Sequence, residues 1–126
     1  MKKMGLIFNH TLTEDQLKDL LENNFTPVYM PEELKNIFKS INPEFAFEEV
    51  KKQVKPIIDW IKESDLDAIL LQGEFTAFII LYKEFEKDLD IYVATTKRVV
   101  EEVKDRVKRI IKKVAVFKHV QFRKIN

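Results

Sequence analysis

The chain contains no cysteine. Disulfides, iron–sulfur clusters, thiol catalysis and cysteine-ligated zinc are therefore excluded. Histidine occurs only as His10 and His119, too few for a histidine-rich metal cage, and no carboxylate cluster takes its place. No metal and no cofactor is expected. Glycine is also present only twice, as Gly5 and Gly73, so neither a GxGxxG dinucleotide fingerprint nor a Walker A loop can be written. The turn after the first apolar segment lacks the acidic pair of a phospho-aspartate receiver and the Ser/Thr/Gly-rich loop of a flavin mononucleotide site. Any phosphate has to meet isolated helix N-termini or side chains instead. The longest uninterrupted apolar run, Ala77 to Tyr82, cannot span a bilayer. Lys2 and Lys3 precede an apolar stretch that stops at Asn9, too short for a signal peptide. A cytoplasmic protein without membrane contact is expected. No sign of charge dominates: 22 basic and 21 acidic residues leave a net +1. That balance argues against general nucleic-acid binding, while leaving room for a local basic site.

What the chain does have is enough apolar material for a core. Its 126 residues, 45% apolar and 34% charged, fit one globular domain over 1–126. A domain of this size buries about two-thirds of its unfolded surface. Strand character is read at Met4 to Phe8, Thr26 to Met30, Asp67 to Leu71 and Leu89 to Ala94, and again at about 114–124. Between them, helices are predicted over 13–24, from Pro31 onward, over 44–64 with a kink or restart at Pro56, from Gly73 to about Lys87, and from Lys97 to about Lys113. Thr13 followed by Gln16 reads as a capping box. The helix at 97–113 is inferred from Val99, Val100, Val103, Val107, Ile110 and Ile111, spaced for one face. In the last strand, Phe117, His119, Gln121 and Arg123 are expected on one face and Val116, Val120 and Phe122 on the other. Strands alternating with helices imply an α/β, Rossmann-like three-layer domain with a mainly parallel five-stranded sheet in the order 2-1-3-4-5.

In such a sheet ligands bind outside the carboxyl ends of the strands, at the switch point. The unusual polar residues gather at those ends. Asn9, His10 and Thr11 follow strand one and offer an amide, a titratable imidazole and a hydroxyl. Gln72, Gly73 and Glu74 follow strand three, where Gly73 permits close backbone approach. Helix-dipole complementarity accounts for Glu74, and Phe75 beside it is placed to stack on a base. Thr95 and Thr96 follow strand four as N-cap candidates. Lys97 and Arg98 then fall in a first helical turn, where cations are disfavoured by up to about 1 kcal/mol unless an anion is bound. Each feature has a plainer reading as turn former, cap, solvated cation or, for His119, Gln121 and Arg123, a polar edge-strand face.

Five segments in order resemble a known family. They are Leu6 to Thr13, Tyr29 to Leu34, Leu71 to Ala77, Tyr92 to Thr96 with Arg98, and Phe117 to Val120 with Phe122 and Arg123. Together they are similar to the small stand-alone CRISPR-associated proteins of the Csx type, CARF-related (CRISPR-associated Rossmann fold) families regarded as ring nucleases. The likeness runs from residue 6 to 123. Thr76 departs from it where the family carries glycine. The absence of a short Gly-containing turn near Val114 is a second departure.

The resemblance implies a hydrolase of type III CRISPR antiviral defence. It would linearise cyclic oligoadenylate, most often cyclic tetra-adenylate, as a homodimer with the ligand on the two-fold axis. Cleavage would be metal-independent: a 2′-hydroxyl attacks the adjacent phosphate and leaves a 2′,3′-cyclic phosphate end. His10, Asn9 and Arg98 are the catalytic candidates. Thr11, Gln72, Gly73, Glu74, Phe75, Thr95, Thr96, His119 and Arg123 are the ligand-binding candidates. The competing expectations are a protein that sequesters the ring uncut, a phosphotransfer domain acting through His10, and an interaction domain with no small ligand.

Overall fold

The central strands of the sheet are built from residues that bury both of their faces. The computed structural model describes residues 1–126. Its elements run β1 (Lys2–Ile7), α1 (Glu14–Glu22), β2 (Phe25–Tyr29), α2 (Glu32–Lys39), α3 (Phe47–Glu63), β3 (Ala68–Leu71), α4 (Phe75–Phe85), β4 (Asp90–Asp105) and β5 (Ile110–Lys124). The sheet order is β2-β1-β3-β4-β5, as the alternation of elements predicts. All four residues of β3 are buried, which fits a strand with parallel neighbours on both sides and cover on both faces.

Alternation along the strands divides the core in two. Ile7, Ile69, Leu71 and Ile91 pack under α3 and α4, against Val54, Ile57, Ile61, Ala77 and Leu81. Met4, Leu6, Phe8, Ala68 and Leu70 pack on the opposite face with Leu20 of α1. Each fully buried aliphatic side chain contributes about 1.5–3 kcal/mol relative to exposure. Thr13 caps α1 as expected, accepting from the Gln16 N–H while its own N–H donates to Gln16 Oε1. Pro56 neither ends nor restarts α3, which runs unbroken from Phe47 to Glu63. The proline is exposed, as is Lys52 one turn earlier. Water can therefore satisfy the carbonyl that loses its donor.

The largest correction concerns 97–113. This segment is not a helix. β4 continues to Asp105, turns over residues 106–109, and returns as β5 from Ile110. The two strands pair antiparallel over fourteen register positions, against twelve parallel ones in the rest of the sheet. The sheet is therefore mixed rather than mainly parallel. Two physical reasons explain it. The apolar residues of 97–113 are all β-branched, a class that packs well on a pleated surface and loses rotamer freedom in a helix. The spacing that suggests a helical face also serves a ribbon, because Val99 meets Val116 across the strands. Asp105 closes the turn, its Oδ1 accepting from the N–H groups of Val107 and Lys108.

The face assignment in β5 is corrected too. Thr96 pairs with His119 but Thr95 pairs with Gln121, so Val120 is an extra residue in a β-bulge. Past the bulge the alternation reverses. His119 consequently lies against Phe122, with ring centroids 4.6 Å apart, rather than on the face of Gln121 and Arg123.

Candidate functional site

The carboxyl edge of the sheet brings together residues distant in sequence. β1 ends at Ile7, and the chain turns through Asn9 and His10. The His10 ring stacks on buried Phe8, with centroids 4.3 Å apart and planes 19° from parallel. Its Nδ1 lies 3.1 Å from the Thr11 carbonyl oxygen. A carbonyl can only accept, so neutral His10 in this contact carries its proton on Nδ1 and leaves a lone pair on Nε2. Nε2 lies 3.4 Å from Gln72 Oε1, a long contact across the β1–β3 boundary. The two ends of an amide are exchanged by a simple flip, which would present Gln72 as donor to that lone pair. Both side chains are exposed.

Beside Gln72 opens a pocket of about 230 Å³ whose lining includes Leu71, Gln72, Gly73, Phe75, Phe78 and Val93. Phe75 is 84% exposed, the most accessible aromatic in the chain. An aromatic face left in water at a sheet's carboxyl edge is suited to stacking on a planar group. A larger recess, about 820 Å³, lies on the α1 side, lined among others by Asp19, Asp67, Phe25 and Tyr92. Its carboxylates are already engaged. Asp19 accepts from Asn23 and pairs with His119, and Asp67 accepts the Lys3 N–H. The smaller pocket, which opens beside Gln72 and the exposed Phe75, is the better candidate.

Several expected site residues have other work. Gly73 does not supply a left-handed turn, since no glycine has positive φ. A Cβ there would stand 2.5 Å from two ring carbons of Phe38, so the glycine clears space for the core. Glu74 caps α4, its carboxylate accepting from the N–H groups of Thr76 at 2.7 Å and Ala77 at 3.2 Å. The helix N-terminus expected to receive a phosphate is thus already occupied by an anion. Burial pushes the Glu74 carboxyl up, but the hydrogen bonds from Thr76 and Ala77 outweigh it and hold the group below the usual carboxylate range.

Glu74 therefore contributes stability that is present above its unfolded value of about 4.3 and lost as pH falls through its lower folded value. Glu74→Gln should cost about 0.5–1 kcal/mol at neutral pH, the low end for a cap because the group is exposed. It should also narrow the drop in urea midpoint between neutral and acidic pH. An equal drop in both proteins would remove Glu74 as a source of acid sensitivity.

Thr95 and Thr96 are strand residues, not N-caps. The Thr95 hydroxyl bonds both the carbonyl and the N–H of Gln121 at 3.2 Å, closing the bulge. Arg98 stands opposite Phe117 in the ribbon, exposed, rather than in a first helical turn. His119 faces α1 and not the crevice. Its Nε2 lies 2.7 Å from Asp19 Oδ2, with 6% of its side chain exposed. Arg123 is separated from it and pairs with Val93, whose side chain lines the small pocket. The structure thus gathers His10, Thr11, Gln72 and Phe75, with Asn9 in the same turn. It does not bring Arg98 or His119 to them. Asp19 escapes a reading of the sequence. The partner of His119 lies 100 residues away, and no local pattern signals such a pair.

No helix of the chain is long and apolar enough to cross a membrane. A family described as the "Uncharacterized protein MJ1673 family" matches residues 2–123. The chain is similar to "Uncharacterized protein MJ1673" of Methanocaldococcus jannaschii, at 33% identity over 131 aligned residues covering all of this chain and 98% of that protein. No solved structure matches it.

Proposed function

Because the chain belongs to the uncharacterized MJ1673 family, whose name assigns no chemistry, we propose its function from the site itself: binding and metal-independent cleavage of cyclic oligoadenylate, with cyclic tetra-adenylate as first substrate. The Rossmann-like, CARF-related reading of the domain, the type III CRISPR setting and a cytoplasmic location belong to this proposal. The observation that carries it is the approach of His10 to Gln72 across the switch point, beside an exposed Phe75. This is where an open α/β sheet holds a nucleotide. The resemblance of the same segments to ring nucleases supplies the substrate class.

In this reading Phe75 stacks on an adenine, and Gln72 with Asn9 positions base or ribose. Nε2 of His10 takes the proton of an adenosine 2′-hydroxyl. That oxygen attacks the adjacent phosphorus, the 5′-oxygen leaves with a proton from solvent, and a 2′,3′-cyclic phosphate remains. The step needs in-line geometry and charge stabilisation rather than an external nucleophile. With Glu74 filling the α4 N-terminus, the cation for phosphate is Arg123, opposite Val93. A homodimer is part of the proposal. Two copies of one small site match a symmetric ring. Sedimentation equilibrium should give twice the chain mass, and a monomer would remove this element.

Incubation of the protein with cyclic tetra-adenylate and EDTA, followed by chromatography and mass spectrometry, tests the chemistry. Linear products ending in cyclic phosphate are expected. An intact ring that co-elutes with the protein would convert the reading to sequestration. An intact ring that does not bind would end it.

A further inference from the structure

Charge is unevenly distributed along this chain. Residues 97–118, the β4–β5 ribbon with its turn, carry nine basic and three acidic side chains, net +6. All other residues together carry thirteen basic and eighteen acidic ones, net −5. The near-neutral total conceals a cationic arm on an anionic body. The concentration is greatest in the outer half. From Val103 to Lys113, six cations (Lys104, Arg106, Lys108, Arg109, Lys112 and Lys113) accompany the single anion Asp105. All six are exposed. None forms an ion pair with a carboxylate.

We propose that this ribbon is a DNA-binding arm that enters the major groove of a B-form duplex and holds phosphates along both walls. The inference is independent of the crevice chemistry. Nine register pairs, Lys97–Asp105 with Ile110–Lys118, make an arm about 30 Å long. A two-stranded ribbon fits a groove about 12 Å wide. Lys112 and Lys113 are consecutive on one strand, so they address opposite faces, and Lys104 lies on the other strand. Cations therefore reach both sides of an inserted ribbon. An anionic bilayer fits less well, because cations interrupt the apolar residues Val107, Ile110 and Ile111. The outer half also has no tryptophan or tyrosine to anchor at an interface. A-form RNA offers a deep, narrow major groove that excludes the ribbon. Two such arms repel each other, which disfavours tip-to-tip pairing of copies.

Arg109 provides an internal control. Its φ is 51°, in the left-handed region that glycine adopts freely and an arginine does not. Arg109→Gly removes one cation and relaxes the turn, so a loss of binding cannot be ascribed to a damaged ribbon.

The test is fluorescence anisotropy of the full chain with a DNA duplex of about 20 base pairs between about 50 and 200 mM salt. Log affinity should fall linearly with log salt with a slope of about −3 to −5, the mark of three to five phosphate contacts. Arg109→Gly should reduce the slope by about 0.9 and weaken binding about eight-fold near 0.1 M salt, with an unchanged or higher melting temperature. Lys108→Glu with Lys112→Glu should weaken it further. An RNA duplex of the same sequence should bind more weakly. The proposal is overturned by no binding at the lowest salt or by affinity indifferent to these substitutions. It is equally overturned by RNA binding as tight as DNA, by tighter capture on phosphatidylserine vesicles, or by low-salt self-association that accounts for the signal.

Discussion

Replacing His10 with alanine is expected to slow ring cleavage by about 10²–10⁴-fold, the usual contribution of a positioned general base. Ring affinity should stay within a few-fold of the original protein. The separation follows from geometry. His10 is exposed and touches the core only through its stacking on Phe8, so its loss should change stability by no more than about 1 kcal/mol. Its Nδ1 is directed to the Thr11 carbonyl, which leaves Nε2 for the reacting hydroxyl. Single-turnover cleavage measured beside equilibrium binding distinguishes the possible roles. Lost affinity with an unchanged rate from the bound state would make His10 a ligand-holding residue. Unchanged cleavage would remove it from the chemistry. Gln72→Ala, which removes the side chain facing Nε2, should lower the rate less, because it disturbs the imidazole's setting and leaves the base in place.

How much of this was legible in the sequence differs between the two halves of the chain. Up to Ala94 the polar punctuation is strong. Thr13 with Gln16, Pro31 with two glutamates behind it, and the wholly apolar Ala68 to Leu71 each specify one local structure. The strand order follows from their alternation. Beyond Ala94 local information is ambiguous. The run from Lys97 to Lys113 satisfies a helical apolar spacing, yet its β-branched residues and the partner strand after it decide for a ribbon. Pairing over fourteen register positions outweighs a periodicity that two structures share. The bulge at Val120 was illegible for a related reason, since it depends on how Thr95 bonds Gln121 across the ladder.

The candidate site was legible where it lay close to strand ends and illegible where it depended on the misread segment. His10 and Gln72 share an edge because β1 and β3 are parallel neighbours, which the strand order already required. The helix start that the sequence predicts at Thr96 and Arg98 is continuous β4 strand instead. His119 reads as a crevice residue only if the alternation of β5 is unbroken. With the bulge it turns toward Asp19 and ties the base of the ribbon to α1. A polar residue at a strand end thus became informative only when the neighbouring strand was also known.

Gly73→Ala is expected to destabilise the protein by about 1–3 kcal/mol, the cost of overpacking a filled core. The added methyl carbon would stand 2.5 Å from the Cε2 and Cζ atoms of Phe38. Phe38 is 3% exposed and lies within the cluster under α3 and α4, so its ring has no free space to retreat into. Conformational freedom does not explain the effect, because Gly73 does not have a positive φ. Phe38→Leu supplies the partner mutation. Alone it loses packing, but it vacates the volume the new methyl needs. The double variant should therefore be more stable than the sum of the two single changes requires, by about 1 kcal/mol or more. Additivity within about 0.5 kcal/mol in urea unfolding would show that clearance of Phe38 is not what Gly73 provides. The same cycle bears on the site. Gly73 lies between Gln72 and the cap Glu74, so a backbone shift that relieves the clash would carry Gln72 away from His10. Cleavage should fall in Gly73→Ala and return in part when Phe38→Leu is added.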